Sequence, residues 1–430
     1  MRLLIHDYAG HPFQLDLSRE LARRGHEVLH LHFEGLPTPK ADFTEPGADD
    51  RLTIRGLRIS RPFDKGQLAA RYLKEREYGW AAAREVALFR PEAVLSANTP
   101  LAIQGMLMRA TRSVAGRFYF WMQDFYSLAL KRFLPSRLPI LGGAIGRYYE
   151  AVERSQLRRS DGAIFITADF LNIASEWGLK AQRCHVIENW APLNSIRPRG
   201  PDNPWAQRHG LTGKRVLLYS GTLGMKHNPI LLWRLAESTQ HMEDVVVAVV
   251  SSGPGAEFLA ARFANRPLPN LRLLGTQPFA DLPDVFGSAS ILIGLLEHSA
   301  GIFSVPSKVL SYLCAGRALL LAMPHENLAA QIVLQIEAGI VVDPGKTEAF
   351  VGAALELLAD GERRDSMSAN ARRYAEFAFD VRPIAVQFER VLAGYPAIWH
   401  THKQKTVLND AVTRKPVAKV VPLAAAGGGG

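Results

Sequence analysis

Val216-Leu217-Leu218-Tyr219-Ser220-Gly221-Thr222-Leu223-Gly224-Met225-Lys226 joins an apolar run to a glycine loop, and the spacing after it predicts a helix around Ile230–Ser238. The run Val216–Tyr219 shows no polar alternation. A parallel strand covered by helices on both faces reads this way, whereas a half-exposed strand alternates. The unit recurs downstream. Val245–Val250 is closed by Ser251-Ser252-Gly253-Pro254-Gly255, and Leu271–Leu274, Ile291–Ile293, Ala318–Ala322 and Gly339–Val342 follow. Strands spaced by helical segments of this length make a doubly wound α/β domain.

The first half repeats the pattern. Leu3-Leu4-Ile5 reads as a buried strand, His6–Pro12 as a loop with Gly10, and Phe13, Leu17 and Leu21 as one helix face ended by Gly25. Val28–Phe33, Ala93–Ser96, Arg117–Trp121, Ala163–Ile166 and Cys184–Ile187 complete a second set of strands. Segment 34–66, richer in Pro, Gly and charge, reads as a loop. Pro192, Pro198, Gly200, Pro201 and Pro204 mark a linker.

The domains are therefore expected at 1–195 and 205–380. A helix at 381–398 is expected to cross back to the first domain, and the polar, basic tail 400–430 to be disordered. At 430 residues the chain exceeds what one core supports. Ligands bind in doubly wound sheets where the strand order reverses, so two such crevices facing each other make one cleft.

Composition narrows the function. Hydrophobic residues at 47% and charged residues at 21% describe a globular chain. A net charge of +10 suits an anionic ligand or surface. The two cysteines, Cys184 and Cys314, suggest neither a disulfide framework nor a metal site and fit a reducing, cytoplasmic setting. No signal peptide or spanning apolar run is evident. The basic residues form no recognisable nucleic-acid module.

Two loops of the second domain read as anion sites. Gly221-Thr222-Leu223-Gly224-Met225-Lys226 follows a strand and precedes a helix, so free amides, a helix N-terminus and Lys226 converge. Gly301-Ile302-Phe303-Ser304-Val305-Pro306-Ser307-Lys308 opens the next helix, with Ser307 as N-cap or hydroxyl donor and Lys308 as a second cation. Two such sites on neighbouring strands embrace one diphosphate. An ordinary βα turn and an ordinary capped helix are the alternatives.

Tyr219-Ser220-Gly221-Thr222-Leu223-Gly224-Met225-Lys226-His227-Asn228 and Val305-Pro306-Ser307-Lys308-Val309-Leu310-Ser311-Tyr312-Leu313-Cys314-Ala315-Gly316-Arg317 together resemble glycosyltransferase family 4. The likeness is closer to its exopolysaccharide and O-antigen branch, the WbuB-like L-fucosamine transferases. It covers about residues 1–398. Gly10 and Gly25-His26-Glu27-Val28 in the first domain fit as well.

The resemblance implies the GT-B fold, two tandem Rossmann-like domains facing a cleft, and a retaining transfer. It implies a nucleotide-sugar donor, UDP by default with guanine left open. The acceptor would be a saccharide, with a polyprenyl-diphosphate-linked one suggested. No essential metal or other cofactor is implied, and the chain shows no Asp-x-Asp motif or ligand cluster. The donor diphosphate would rest on Gly221, Thr222, Gly224, Lys226, Ser307 and Lys308. One departure stands out: many members carry two glutamates eight positions apart, and those positions hold Phe303 and Ser311 here. Ser311 would then meet the ribose, and Glu297 is the nearest upstream carboxylate.

The base is expected near Thr276 and Gln277, and sugar hydroxyls near Asn327 and Gly10. His11 and Asp124 are the catalytic candidates, placed to meet the sugar or orient the acceptor. Residues 127–159 mix apolar and basic side chains, which fits peripheral contact with an anionic membrane at its inner face. The rival readings are a UDP-sugar epimerase of the same fold and a non-catalytic nucleotide-sugar-binding subunit.

Overall fold

A computed structural model describes the chain except residues 36–42, 44–49, 60–67, 98, 138–140, 225, 302–304 and 398–430. The first domain begins β1 (Arg2–Asp7), α1 (Pro12–Arg23), β2 (Glu27–Phe33), β3 (Leu52–Leu57), α2 (Leu68–Phe89), β4 (Ala93–Ala97) and α3 (Leu101–Ser113). It continues with β5 (Arg117–Met122), α4 (Tyr126–Arg137), α5 (Gly142–Arg159), β6 (Gly162–Phe165), α6 (Phe170–Glu176) and β7 (Cys184–Val186). A short α7 (Pro204–Arg208) leads into the second domain.

That domain runs β8 (Arg215–Ser220), α8 (Ile230–Thr239), β9 (Val245–Val250), α9 (Pro254–Asn265), β10 (Leu271–Leu274), α10 (Leu282–Gly287) and β11 (Ile291–Leu295). Then come α11 (His298–Gly301), α12 (Ser307–Ala315), β12 (Ala318–Ala322), α13 (Leu328–Gln335), β13 (Gly339–Val342), α14 (Thr347–Ala359), α15 (Gly361–Ala378) and α16 (Val381–Leu392).

Both sheets are parallel. The orders are β3-β2-β1-β4-β5-β6-β7 and β10-β9-β8-β11-β12-β13. Strand order reverses between β1 and β4 in the first sheet and between β8 and β11 in the second. Pairing of β8 with β11 stops at Leu218 and Leu292, while pairing of β8 with β9 continues to Ser220 and Val250. The sheet therefore splits at its switch point, where a crevice is expected.

Two expectations are corrected. Segment 34–66 is not all loop: it holds β3, paired along its length with β2. This edge strand alternates half-buried and exposed side chains, so it lacks the apolar run of the inner strands. His6 and Asp7 belong to β1 rather than to the loop, which starts at Tyr8.

The chain does return to the first domain. Glu389 of α16 accepts from Arg24 Nε at 2.9 Å and from His26 Nε2 at 2.9 Å. Phe388 meets Trp121 edge-on at 4.7 Å, and Phe13, Trp121 and Trp190 pack together, so β5, α1, the linker and α16 share one aromatic cluster. Each such ring pair adds about 0.5–1.5 kcal/mol beyond area burial. The helix ends at Leu392, short of the expected 398, and the tail 400–430 lies outside the described residues.

Candidate functional site

The second-domain site grows from the end of β8. Ser220 N–H donates to the Tyr312 hydroxyl at 3.0 Å, and that hydroxyl donates to Ser220 C=O at 3.0 Å. Tyr312 is fully buried on α12, so one side chain pins the second anion loop's helix to the first loop's strand. Tyr219 donates its hydroxyl to Thr222 C=O at 2.9 Å and accepts from Lys308 Nζ. The same Nζ stands 3.9 Å from the Tyr219 ring centroid. Gly221, at φ +116°, lies against it: a Cβ there would meet Lys308 Cε at 3.3 Å. Both the backbone conformation and the close approach call for glycine.

The loop amides depart from expectation. Gly221 N–H donates to Val250 C=O, Leu223 N–H to Ser252 C=O, and Gly224 N–H to His227 Nδ1, each at about 3.0 Å. These glycines shape the loop but do not offer amides to a phosphate. Two lysines and a histidine stand beside this loop. Burial and neighbouring Lys226 pull the Lys308 ammonium down to about 7. Burial, with Lys308 and Lys226 beside it, lowers His227 to about 3. His227 is thus neutral, and because Nδ1 accepts from Gly224, its proton sits on Nε2. Sequence reasoning missed His227; its signal was its place directly after Lys226. Two like charges and a polar imidazole converge on one point of the crevice, a demand that an anion satisfies.

Other residues of the expected site fall out as follows. Pro306 is the N-cap of α12 and Ser307 its first residue, so Ser307 does not cap the helix through its side chain. Ser311 is half-buried one turn beyond Lys308, and Phe303 lies outside the described residues. Thr222 and Thr276 are exposed. Gln277 accepts from Trp205 Nε1 at 3.0 Å and donates to Gly275 C=O at 2.9 Å, which holds its side chain against α7. Asn327 is only 2% exposed and its Oδ1 caps α13 by accepting from Ala329 N–H. It is a helix cap rather than a reader of sugar hydroxyls. Lys226 C=O accepts from Glu297 N–H at 2.9 Å, tying the loop after β11 to the loop after β8.

On the first domain, the loop after β1 wraps a buried carboxylate. Asp7 accepts from the backbone N–H groups of Ala9, Gly10 and His11 and from His11 Nδ1. Gly10 is buried at φ +76°. Asp124 is exposed two residues beyond the end of β5. The α4 N-terminus next to it is capped by Glu153 of α5, which accepts from Tyr126 N–H and Ser127 N–H. Burial pushes Glu153 up to about 7 against those bonds, with Asp124 adding repulsion.

The region expected to meet a membrane gains neighbours from α2 and α3. A groove of about 640 Å³ lies between α2, α3 and α5, lined by Arg76, Trp80, Met106, Arg109, Tyr148 and Gln156. Trp80 and Tyr148 are both 65% exposed. Among the described residues no helix is long and apolar enough to cross a membrane.

With this geometry in hand, comparison with known proteins is direct. Residues 10–190 match the model of a glycosyl transferase 4-like domain, and residues 202–374 that of glycosyl transferases group 1. The chain is 25% identical over 259 residues to the putative colanic acid biosynthesis glycosyl transferase WcaI of Escherichia coli, a match over 59% of this chain and 62% of that protein. Sucrose-phosphate synthase from Thermosynechococcus elongatus superposes with a TM-score of 0.70 at 13% identity, over 91% of this chain and 98% of that one. HepE of Anabaena, in complex with UDP and glucose, gives 0.67 at 15% identity, over 91% and 99%. These two likenesses establish the fold. Both halves of the chain are matched, the motifs lie where the sheets switch order, and the chain belongs to glycosyltransferase family 4 with the GT-B fold.

Proposed function

We propose that the chain transfers a sugar from a UDP-sugar to a saccharide acceptor with retention of anomeric configuration, and without a metal. The carrying observation is the convergence of Lys308, Lys226 and neutral His227 at the switch point of the second sheet. Lys308 and Lys226 neutralise the donor diphosphate, and His227 donates through Nε2. HepE, whose complexes hold UDP and glucose or UDP-glucose, supports uridine as the nucleoside. In the transfer, the bond from the acceptor oxygen to the anomeric carbon forms on the face from which the diphosphate departs. The acceptor proton passes to the leaving phosphate oxygen, so no separate base is required. Asp124 orients the acceptor hydroxyl from the first domain.

WcaI's part in colanic acid biosynthesis supports a role in bacterial exopolysaccharide or O-antigen assembly, on a polyprenyl-diphosphate-linked acceptor at the cytoplasmic face of the membrane. The groove with Trp80, Tyr148, Arg76 and Arg109 is the surface that meets the bilayer. Calorimetry of UDP, GDP and ADP, each with Mg²⁺ and with EDTA, tests the reading. Tight UDP binding in EDTA followed by transfer from a UDP-sugar supports it. Binding of UDP with no transfer from any donor leaves a non-catalytic nucleotide-sugar-binding subunit, and no binding at all removes the donor site.

A further inference from the structure

Three histidines sit near the carboxyl ends of β1 and β2, and a fourth, His11, stands in the loop beside them. His6 is fully buried: Nδ1 meets Ser96 and Thr99 at 3.0 Å, and Nε2 meets the Tyr78 hydroxyl at 3.0 Å. His30 is buried against Ser18, and His32 is stacked on Phe43. His11 differs. Its side chain is 32% exposed, and only one of its nitrogens meets the protein among the described residues.

The partner of that nitrogen is Asp7, whose side chain has no exposure. Its oxygens take the N–H groups of Ala9 at 3.2 Å and Gly10 at 3.0 Å, the His11 N–H, and His11 Nδ1 at 3.1 Å. Burial alone would raise the carboxyl. The charge and hydrogen bonds of His11 outweigh burial and hold Asp7 below its ordinary value, so it is ionised and only accepts. His11 Nδ1 must then carry a proton, so whenever the ring is neutral its other nitrogen is the bare acceptor.

The place of this pair gives it meaning. Asp7 pairs with Ala97 across the reversal between β1 and β4, so the loop it shapes stands at the first sheet's ligand crevice. Beyond the three turn N–H groups, this buried carboxylate holds the ring of His11, the partly exposed histidine of these four.

We infer that Asp7 is a positioning residue: it locks His11 in the tautomer that presents Nε2 to the cleft, where Nε2 accepts a hydrogen bond from a hydroxyl of the transferring sugar. This rests on the function proposed above. The bond orients the sugar and retains no proton, so the proton balance of the transfer is unchanged.

The other titratable groups facing Asp7 are His6, His30, Tyr8 and Tyr78. Burial lowers His6 to about 3 and His30 to about 4 and raises Tyr78 well above its ordinary value, so these three do not titrate between pH 5 and 8.

The test joins kinetics to nitrogen NMR of labelled protein. Asp7→Asn should lower kcat about 10–100-fold, the range found when a group orienting a functional histidine is removed. UDP affinity should not change. The double variant with His11→Ala should be no slower than His11→Ala alone, because both act through one group. In the unaltered protein, the His11 resonances should show a protonated Nδ1 and a bare Nε2. A neutral ring protonated on Nε2, or additive losses, overturns the inference, and the NMR result does so even if no sugar transfer is found. Should UDP fail to bind the unaltered protein, the proposed function falls instead.

Discussion

Lys308 Nζ lies 3.9 Å from the centroid of the Tyr219 ring and donates to the same residue's hydroxyl, across 89 positions of sequence. The ammonium has an aromatic face and a phenol beside it and, among the described residues, no carboxylate paired with it, and Lys226 opposes it. A cation so placed gives up its proton readily until an anion arrives.

Proton uptake on binding follows. Below about pH 7 Lys308 is charged in the free protein; above it the amine is increasingly neutral. A bound diphosphate raises its pKa again, so affinity is full at low pH and declines as pH rises through 7. Calorimetry of UDP at pH 8 in buffers of different ionisation heat should show uptake approaching one proton. Lys308→Arg, charged throughout, should abolish it. Lys308→Ala should weaken UDP about 10–100-fold, the equivalent of losing one charge-assisted bond.

Gly221→Ala should damage both fold and site. Its φ of +116° is unfavourable for alanine, and the new Cβ would press on Lys308 Cε at 3.3 Å. We expect about 1–3 kcal/mol lost in thermal unfolding and weaker UDP binding in the folded fraction. Unchanged affinity would separate Lys308 from the diphosphate.

Ser311→Glu restores the carboxylate many family members carry. Ser311 is half-buried on α12, one turn beyond Lys308. UDP should bind about tenfold tighter, as expected for one hydrogen bond between a carboxylate and a ribose hydroxyl. Deoxyuridine diphosphate should gain less. Equal gains for both would place the new contact away from the ribose.

Membrane contact has its own measurement. Co-sedimentation with phosphatidylglycerol vesicles should exceed that with phosphatidylcholine vesicles and fall with salt. Arg76→Ala and Arg109→Ala should each cost about 1 kcal/mol of vesicle binding. Trp80→Ala should weaken it further. Binding indifferent to lipid charge would sink this surface.

The inner strands were legible because burial on both faces leaves an unbroken apolar run, as in Val245–Val250. Edge strand β3 was not, since Thr53 and Arg55 face water and break that run. Lys226 and Lys308 stood out as cations beside a glycine loop, and the structure brings them close enough to repel each other. What failed was the assignment of partners. Glycines announce a tight loop, but not that Gly221 and Leu223 bond the loop after β9. Asp7 was hidden in the same way: its position at the end of β1 looked like loop, and its four donors come from a turn that forms only around it. Asn327 carries a side chain suited to sugars and to helix caps alike, and burial decides between them.

The return of α16 to α1 also sets an order of events during synthesis. Phe388 completes the cluster of Phe13, Trp121 and Trp190, and Glu389 joins Arg24 and His26. On the ribosome, the first domain is translated before any of the second, yet this flank stays unfinished until residue 392 has left the exit tunnel. Throughout that interval the nascent chain carries an exposed aromatic surface. The first domain starts folding first and is the last to be closed.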